Sequence, residues 1–349
     1  MKKDSKFKNI KLFSLSASKQ AGEAIAKELN LELAPILINW FQDKEILIRS
    51  LNSIRNKDVY VIQSTCPPVN DNLMELLIAI DSFKRAWAKS INVIIPYFGY
   101  SRQDRTTNFR EPITCKLVSN LLKTAGANKI ILFDLHSPQT MGFFDIPVDS
   151  LKPVDEFAHW IFEFLKANPD EKQICFVAPD RGALIKTTEI ANKFKLFNSQ
   201  IALIEKQRTA FNKSEIKFVL GDVKDKVCFL IDDMIDTGGT ILNACDVLKN
   251  KKAKKIIVLA THGLFSNNAL NRFAKSVENK IIDRIVVTDT IFQKNKPDFL
   301  TVISINKFLA DVIKKIIFHE SVSKLYENRG VELNKLIIEY LKTKNNNEN

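Results

Sequence analysis

The sequence contains no run of apolar residues long enough to form a transmembrane helix, which needs about 20 consecutive apolar residues. The basic N-terminal stretch MKKDSKFKNIKLFSL also lacks the continuous hydrophobic segment and small-residue cleavage site of a secretory signal peptide. We therefore expect no membrane association and a cytoplasmic location.

Cysteine is scarce and shows no pattern, with 5 residues in the chain and none of them spaced as CxxC. An odd number of scattered cysteines argues against both a disulfide framework and a zinc site. We expect Cys66, Cys115, Cys175, Cys228 and Cys245 to be small residues of the hydrophobic core.

Aromatic residues are not interleaved with basic residues in any RNA-binding pattern, although the formal net charge is +12. The main basic cluster, KNKKAKK at 249–255, ends a predicted helix and precedes the predicted buried strand IIVLATHG. Cations at a helix C-terminus interact favourably with the helix dipole. We therefore predict a solvated helix end and no nucleic-acid partner, in a protein whose positive field would attract polyphosphates.

The length and the 45% hydrophobic content are typical of two globular domains. Apolar, strand-like runs alternate with helical stretches, and the predicted strands are DVYVIQS, INVIIPYF, KIILFDLH, QICFVAPD, QIALIEK, VCFLIDD, KIIVLATHG and RIVVTDT. This alternation predicts an α/β fold in which each domain is a mostly parallel sheet flanked by helices. Because most of the runs are apolar throughout, we expect ligands at the polar carboxyl ends of strands that are buried on both faces.

Two prolines, Pro147 and Pro153, lie just before a predicted helix and indicate a domain boundary there. We expect an N-terminal domain over 1–152 and a C-terminal domain over 153–326, whose last helix is a candidate to pack on the N-terminal domain. The tail over 327–349 contains one amphipathic stretch, VELNKLIIEYLK, and ends in TKNNNEN. Such a polar end predicts partial disorder.

The segment FLIDDMIDTGGT at 229–240 combines three carboxylates with a loop suited to an anion. A predicted strand whose apolar run ends at Ile231, and a helix predicted to begin at Thr240, place this loop at a helix N-terminus. There Gly238 and Gly239 allow close backbone approach, and the amides and hydroxyls of TGGT suit a phosphate. A phosphosugar such as ribose 5-phosphate satisfies both groups, because its hydroxyls donate hydrogen bonds to carboxylates. The alternative is an acidic turn that caps a helix.

Other predicted strand ends also carry polar side chains. His136 follows one strand and Asp180 follows another, so the two could share a divalent metal with polyphosphate oxygens. Each has a structural alternative, a hydrogen-bonded histidine and a type I turn. One loop holds Arg102, Arg105 and Arg110, and arginine forks suit triphosphate oxygens.

Taken together, these segments resemble the ribose-phosphate pyrophosphokinase (phosphoribosyl pyrophosphate synthetase) family of the bacterial and mammalian type. The resemblance runs from Phe13 to Tyr326 through the motifs FSLSAS, FQDKE, QSTCPPVNDNLMELL, IPYFGYSRQDR, REPIT, DLHSPQTMGFFDIPVD, IDDMIDTGGT and SVSKLY. It implies two phosphoribosyltransferase-like domains that transfer the β,γ-diphosphoryl group of ATP to the anomeric hydroxyl of ribose 5-phosphate. The implied cofactor is Mg²⁺, the partners are ATP and ribose 5-phosphate, and the assembly is a homo-oligomer, a hexamer built from dimers.

The resemblance also implies roles for particular residues. The FQDKE segment resembles an adenine-binding hairpin that contacts ATP bound to a neighbouring subunit, and the SRQD segment resembles a phosphate-holding loop. The implied ATP-binding residues are Phe41, Asp43, Lys44, Glu45, Arg102, Gln103 and Asp104. The implied magnesium-associated residues are His136 and Asp180.

The segment EKQRTAFN resembles a mobile catalytic loop, in which the implied catalytic residues are Lys206 and Arg208. The implied ribose 5-phosphate-binding residues are Arg208, Asp232, Asp233, Asp236, Thr237, Gly238, Gly239 and Thr240. Asp232 and Asp236 would bind the sugar hydroxyls, and 237–240 would surround the phosphate.

Arg181 and Ala183 depart from the family's pyrophosphate loop, which usually has a small residue or His and then Gly at these positions. A non-catalytic regulatory homologue is therefore one alternative, although the intact His136, Lys206 and Arg208 weigh against it. A type I phosphoribosyltransferase is another, since it would share the DDMIDTGGT loop. It would not need FQDKE and SRQDR in an additional α/β half.

Overall fold

The protein is described by a computed structural model over residues 7–207 and 216–348, and the chain divides into two compact units. The first unit comprises Met1–Lys152, Asp289–Phe292 and Ser304–Val322, and the second comprises Pro153–Thr288, Gln293–Ile303 and Ser323–Asn349. The segment predicted as a C-terminal domain, 153–326, is therefore shared between both units.

The strands are β1 (Ile10–Ser14), β2 (Ile36–Trp40), β3 (Ile46–Ser50), β4 (Asp58–Ile62), β5 (Ser90–Ile95), β6 (Lys129–Phe133), β7 (Val148–Leu151), β8 (Ile174–Ala178), β9 (Gln200–Gln207), β10 (Ile216–Leu220), β11 (Val227–Ile235), β12 (Lys255–Gly263), β13 (Arg284–Thr288) and β14 (Leu300–Ile303). The helices are α1 (Lys19–Leu29), α2 (Val69–Arg85), α3 (Thr114–Ala125), α4 (Val154–Ala167), α5 (Leu184–Ala191), α6 (Gly239–Asn250), α7 (Ala269–Glu278), α8 (Asn306–Ile317) and α9 (Ser323–Glu348). Within the described residues, none of these helices is both long and apolar enough to cross a membrane.

The first unit is built on a parallel sheet in the order β1-β4-β5-β6-β7, with β2 and β3 forming a separate antiparallel hairpin. The central strands β4, β5 and β6 are buried almost throughout, as their continuous apolar runs predicted. The hydrophobic core of this unit contains the stacked rings of Phe13 and Phe83, whose centroids lie 4.6 Å apart. Helix α8 packs on α1, which places this late segment of the chain in the first unit.

The second unit is built on a seven-stranded sheet in the order β10-β9-β8-β11-β12-β13-β14. Every neighbouring pair is parallel except β9 and β10. Strands β8, β11 and β12 are buried on both faces between two hydrophobic clusters. The prediction of an α/β fold with mostly parallel sheets flanked by helices is confirmed.

Strand β11 is longer than the sequence pattern predicted. Its apolar run ends at Ile231 and the predicted segment VCFLIDD ends at Asp233, but the strand continues to Ile235 because β12 continues beside it and Ile235 pairs with Gly263. As a result Asp232 and Asp233 lie on the strand, and of the three carboxylates only Asp236 lies in the loop before α6.

The C-terminal tail contains the predicted amphipathic stretch, which belongs to helix α9 over 323–348. Leu333 and Ile337 of this stretch are fully buried in a cluster that includes Phe157 and Phe162 of α4. The apolar stripe therefore orders the tail by packing on α4.

The cysteines and the basic cluster at 249–255 have defined surroundings in the folded chain. All five cysteines are free and buried, in agreement with their interpretation as core residues. In the basic cluster, Lys254 and Lys255 both pair with Glu171, at 2.6 and 3.0 Å. Part of the cluster therefore has a structural partner within the chain.

Candidate active site

Three neighbouring strands of the second unit end at the same edge of the sheet. Because β9, β8 and β11 are adjacent and parallel, their carboxyl ends lie side by side. Asp180 follows β8, the backbone of Lys206 lies at the end of β9, and Asp232 and Asp233 lie near the end of β11. The topology thus groups the metal, catalytic and sugar-binding residues predicted in this unit. Arg208, the other predicted catalytic residue, lies outside the described residues.

The N-terminus of helix α6 forms the predicted phosphate loop. The helix begins at Gly239, one residue before its predicted start, and Gly238 precedes it with φ 80°. Among the described residues, no side chain caps the N-terminus of this helix. Its first backbone N–H groups are therefore available to an anion, and the helix dipole favours negative charge there.

Two residues of helix α7, Arg272 and Phe273, contact this loop. A Cβ atom on Gly238 would lie 2.6 Å from Cε2 of Phe273, which is fully buried. The neighbouring Arg272 donates a hydrogen bond from Nη2 to the carbonyl oxygen of Thr237. The predictions did not include Arg272 or Phe273, because the contact spans 35 residues and the local sequence shows only an ordinary helix.

The two carboxylates on β11 influence each other. The backbone N–H of Asp233 donates to Oδ1 of Asp232 at 2.8 Å. Burial, followed by the charge of Asp233, raises the pKa of Asp232 well above its usual range, while the charge of Lys186 opposes this shift. Two carboxylates this close are costly to ionise together, and hydroxyl donors from a ligand would stabilise their ionised forms.

The turn after β8 contains the two departures from the family's loop. The backbone N–H of Ala183 donates to Oδ1 of Asp180 at 3.1 Å, and Ala183 has an ordinary φ of −78°. A side chain at 183 therefore needs no unusual backbone conformation. Arg181 points to β9, where its Nε lies 2.6 Å from Oε1 of Glu205.

In the first unit, the predicted adenine-binding residues form the tip of the β2–β3 hairpin. The N–H of Phe41 donates to the carbonyl of Glu45 at 2.9 Å, and the N–H of Glu45 donates to Oδ1 of Asp43 at 3.0 Å. Lys44 has φ 75°, in the left-handed region that favours glycine. All four side chains are exposed. The hairpin therefore presents an aromatic ring and charged groups together.

The arginine loop follows β5 in the same unit. Arg102 and Gln103 are exposed and Asp104 is half-buried. Gln103 is held in place because Thr114 Oγ1 donates to its Oε1 at 2.5 Å. Further along, hydrogen bonds from Asn108 and Thr107 lower the pKa of Glu111 to about 2. These bonds order the loop that carries the arginines.

The predicted metal-associated residues belong to different units: the exposed His136 follows β6 of the first, and the half-buried Asp180 follows β8 of the second. Across 7–207 and 216–348, no three His, Cys, Asp or Glu side chains form a metal-binding group. Mg²⁺ is commonly held by one or two carboxylates together with substrate phosphates, so the oxygen donors of Asp180 fit this ion. The imidazole of His136 is a donor better suited to softer metals.

The two parallel-sheet units, with a DTGGT loop at an uncapped helix N-terminus beside paired carboxylates, define an α/β protein of the phosphosugar-binding class. Comparison with family models identifies two matches. "N-terminal domain of ribose phosphate pyrophosphokinase" covers residues 10–126, and "Phosphoribosyl synthetase-associated domain" covers residues 177–327. The chain belongs to the ribose-phosphate pyrophosphokinase family.

Individual relatives agree with this assignment. The chain is 47% identical to ribose-phosphate pyrophosphokinase of Ureaplasma parvum, over 89% of this chain and 92% of that protein. It is 43% identical to the enzyme of the same name from Thermotoga maritima, over 91% of this chain and 98% of that protein. Phosphoribosylpyrophosphate synthetase from Mycobacterium smegmatis has a similar structure, with a TM-score of 0.81 at 38% identity, over 89% of this chain and 99% of that one.

Proposed function

We propose that this protein transfers the diphosphoryl group of ATP to the anomeric hydroxyl of ribose 5-phosphate, giving AMP and 5-phosphoribosyl 1-pyrophosphate for nucleotide biosynthesis. The observation that carries the proposal is the uncapped N-terminus of α6 directly after the carboxylates of β11. This arrangement suits the phosphate of a phosphosugar at one end and its hydroxyls at the other. The names of the curated relatives support the same activity.

Attack on the β-phosphorus of ATP requires positioning and charge neutralisation more than covalent help. In our proposal Asp232 and Asp236 accept hydrogen bonds from the sugar hydroxyls, and the amides of 237–240 hold its phosphate. Lys206 and Arg208 neutralise the charge that develops on the transferring group. The position of Lys206 on β9, next to β8 in the sheet, supports its part in this assignment.

The proposed cofactor is Mg²⁺, which would neutralise polyphosphate charge and orient the group being transferred. The carboxylate of Asp180 would supply a protein ligand, with His136 as a second associated residue. The short turn formed by the Asp180 Oδ1 hydrogen bond supports this position for the carboxylate.

The proposed partners are ATP and ribose 5-phosphate in a homo-oligomer, a hexamer built from dimers, in the cytoplasm. Phe41, Asp43, Lys44 and Glu45 would contact ATP bound to a neighbouring subunit, with Arg102, Gln103 and Asp104 at its phosphates. Exposed apolar side chains of the first unit support subunit contacts: Phe41 is 47% exposed on the hairpin, and Ile113, just before α3, is exposed together with Leu117 and Leu121 of α3 at four-residue spacing. Such a stripe on a helix is suited to burial against another chain.

A single assay tests the reaction. The protein is supplied with ATP, magnesium and ribose 5-phosphate, and the nucleotide and sugar products are identified. We expect magnesium-dependent AMP in equal amount to phosphoribosyl pyrophosphate, because the acceptor attacks the β-phosphorus. ADP formed with a phosphorylated sugar would contradict the mechanism. Lack of turnover would favour a regulatory homologue, and consumption of phosphoribosyl pyrophosphate with a nucleobase would favour a phosphoribosyltransferase.

A further inference from the structure

An ion pair in the second unit joins the ends of two strands at the proposed ligand edge. Nε of Arg181, in the turn after β8, lies 2.6 Å from Oε1 of Glu205 near the end of β9. Strands β8 and β9 pair as far as Ala178 and Leu203, so the two side chains meet just beyond the last paired residues. The pair thus lies where parallel α/β sheets place their ligands.

The two partners have very different surroundings. The side chain of Arg181 is 82% exposed, whereas that of Glu205 is only 15% exposed. An ion pair with so exposed a partner contributes little to the free energy of unfolding. The enclosed carboxylate of Glu205, in contrast, is poorly hydrated and needs a positive partner to balance its charge.

The local charge makes this balance important for ligand binding. In the same unit, Asp180 follows β8, while Asp232 and Asp233 lie near the end of β11, so carboxylates already flank the edge where Glu205 lies. The proposed ligands are anionic, and like charges placed close together oppose binding. An unbalanced Glu205 would add one more repulsive charge at this edge.

We propose that Arg181 is a positioning residue that acts on substrate through Glu205. Its guanidinium neutralises this carboxylate and keeps it turned away from the anionic ligand. The inference rests on the proposed function, because it takes the ligand at this edge to be a polyphosphate. The turn itself does not need Arg181, because the hydrogen bond from the N–H of Ala183 to Asp180 already closes it.

The test is a double-mutant cycle in the full-length protein, made of Arg181→Ala, Glu205→Gln and the double variant, together with Arg181→Lys. Lys254→Ala is the control for loss of a cation away from this edge: Lys254 also lies 2.6 Å from an enclosed carboxylate, that of Glu171, which keeps Lys255 at 3.0 Å, and it lies just before β12 at the amino ends of the strands. Initial rates give kcat and the KM for MgATP separately, and thermal melting gives Tm. The wild-type protein is first assayed for AMP formation, so that failure of the proposed function is recognised independently of the cycle.

We expect Arg181→Ala to raise the KM for MgATP on the order of 10-fold with little change in kcat or Tm, because it adds repulsion in the bound state. Glu205→Gln and Lys254→Ala are expected to remain close to wild type. Both the double variant and Arg181→Lys are expected to recover most of the loss, since one removes the carboxylate charge and the other restores the cation.

Three results would overturn the proposal. A double variant as impaired as Arg181→Ala would mean that the arginine contacts the substrate directly. An unchanged KM in Arg181→Ala would mean that the pair has no part in binding. A fall in the Tm of Arg181→Ala that accompanies its loss of activity, and that persists in the double variant, would assign the pair a structural role.

Discussion

Lys206 follows Glu205 on β9, and its backbone pairs with Lys217 of β10. If this lysine neutralises charge that develops only during transfer, its benefit lies in the transition state. We expect Lys206→Ala to lower kcat on the order of 10³-fold with much smaller changes in substrate KM, as for other cations that act in phosphoryl transfer. Steady-state rates at saturating substrates and magnesium measure the effect.

A suitable control for this charge change is Lys224→Ala, because Lys224 is exposed in the turn before β11, at the opposite end of the strand. It is expected to retain wild-type rates. A Lys206→Ala enzyme that kept most of its kcat would remove Lys206 from the catalytic assignment.

Because of Glu156 on α4, we expect the free energy of unfolding to depend on pH. Burial raises its pKa to about 7, and the guanidinium of Arg329 on α9, 2.7 Å away, opposes the shift without cancelling it. The folded-state pKa is thus above the unfolded value of about 4.3. The contribution of Glu156 to stability is therefore fully present below pH 4.3 and is lost as the pH rises through about 7, by on the order of 3–4 kcal/mol.

The comparison that isolates this effect is denaturant unfolding of wild type and Glu156→Gln between pH 5 and 8. Relative to wild type, the glutamine variant should become more stable as the pH rises, because it has no proton to lose. Glu332→Gln, which changes an exposed position of α9, should follow the wild-type curve. Parallel curves for wild type and Glu156→Gln would show that Glu156 does not titrate in this range.

At the N-terminus of α6, the two adjacent glycines Gly238 and Gly239 have different surroundings. Gly238 has φ 80°, and an added Cβ would meet Phe273 at 2.6 Å, whereas among the described residues, apart from its chain neighbours and its own helix backbone, no atom lies within 4 Å of an added Cβ on Gly239. Gly238→Ala should therefore lower the free energy of unfolding by about 1–3 kcal/mol or more, from the strained backbone and the clash. Gly239→Ala should leave it nearly unchanged.

Thermal melting without ligands distinguishes these two variants. Because the measurement is made on the free protein, any contact of Gly239 with a substrate does not enter it. Equal losses of stability in the two variants would contradict the role assigned to Phe273.

The packing of helix α9 leads to another prediction, because two adjacent isoleucines of this helix differ in burial. Ile337 is fully buried against α4, and Ile338 is 42% exposed. Ile337→Ala should cost about 2–5 kcal/mol of stability through lost burial and the cavity left behind. Ile338→Ala should change it by less than about 1 kcal/mol. Denaturant unfolding monitored by circular dichroism compares them, and similar losses would contradict the packing of α9 on α4.

The proposed homo-oligomer leads to a prediction about sites shared between subunits. If the hairpin tip completes an ATP site on a neighbouring subunit, then a variant defective at the tip, Asp43→Ala/Glu45→Ala, and one defective in the sugar loop, Asp236→Ala, should complement each other. In co-expressed mixed oligomers, random assortment restores about a quarter of the sites when each site draws on two subunits.

Activity of mixed oligomers, purified through two different affinity tags, is compared with that of each variant alone. Activity no greater than the mean of the two variants would mean that each site is formed within one subunit. Size-exclusion chromatography of the same preparations verifies that the subunits remain associated.

Much of the fold and part of the site follow from local patterns in the sequence. The continuous apolar runs of β4, β5, β8, β11 and β12 predicted buried parallel strands, because a strand covered on both faces has no polar side to show. The TGGT segment predicted an anion-binding helix N-terminus, because glycine conformation and free amides are properties of a few adjacent residues. The ordered series of motifs was sufficient to predict the family.

Contacts between residues distant in the chain were decided only by tertiary packing. Strand β11 continues past Asp233 to Ile235 because β12 continues beside it to Gly263. Arg272 supports Thr237, and Arg181 pairs with Glu205, through contacts that span 35 and 24 residues. Local propensity and periodicity reflect interactions between near neighbours, so they carry no information about which distant side chains the folded chain brings into contact.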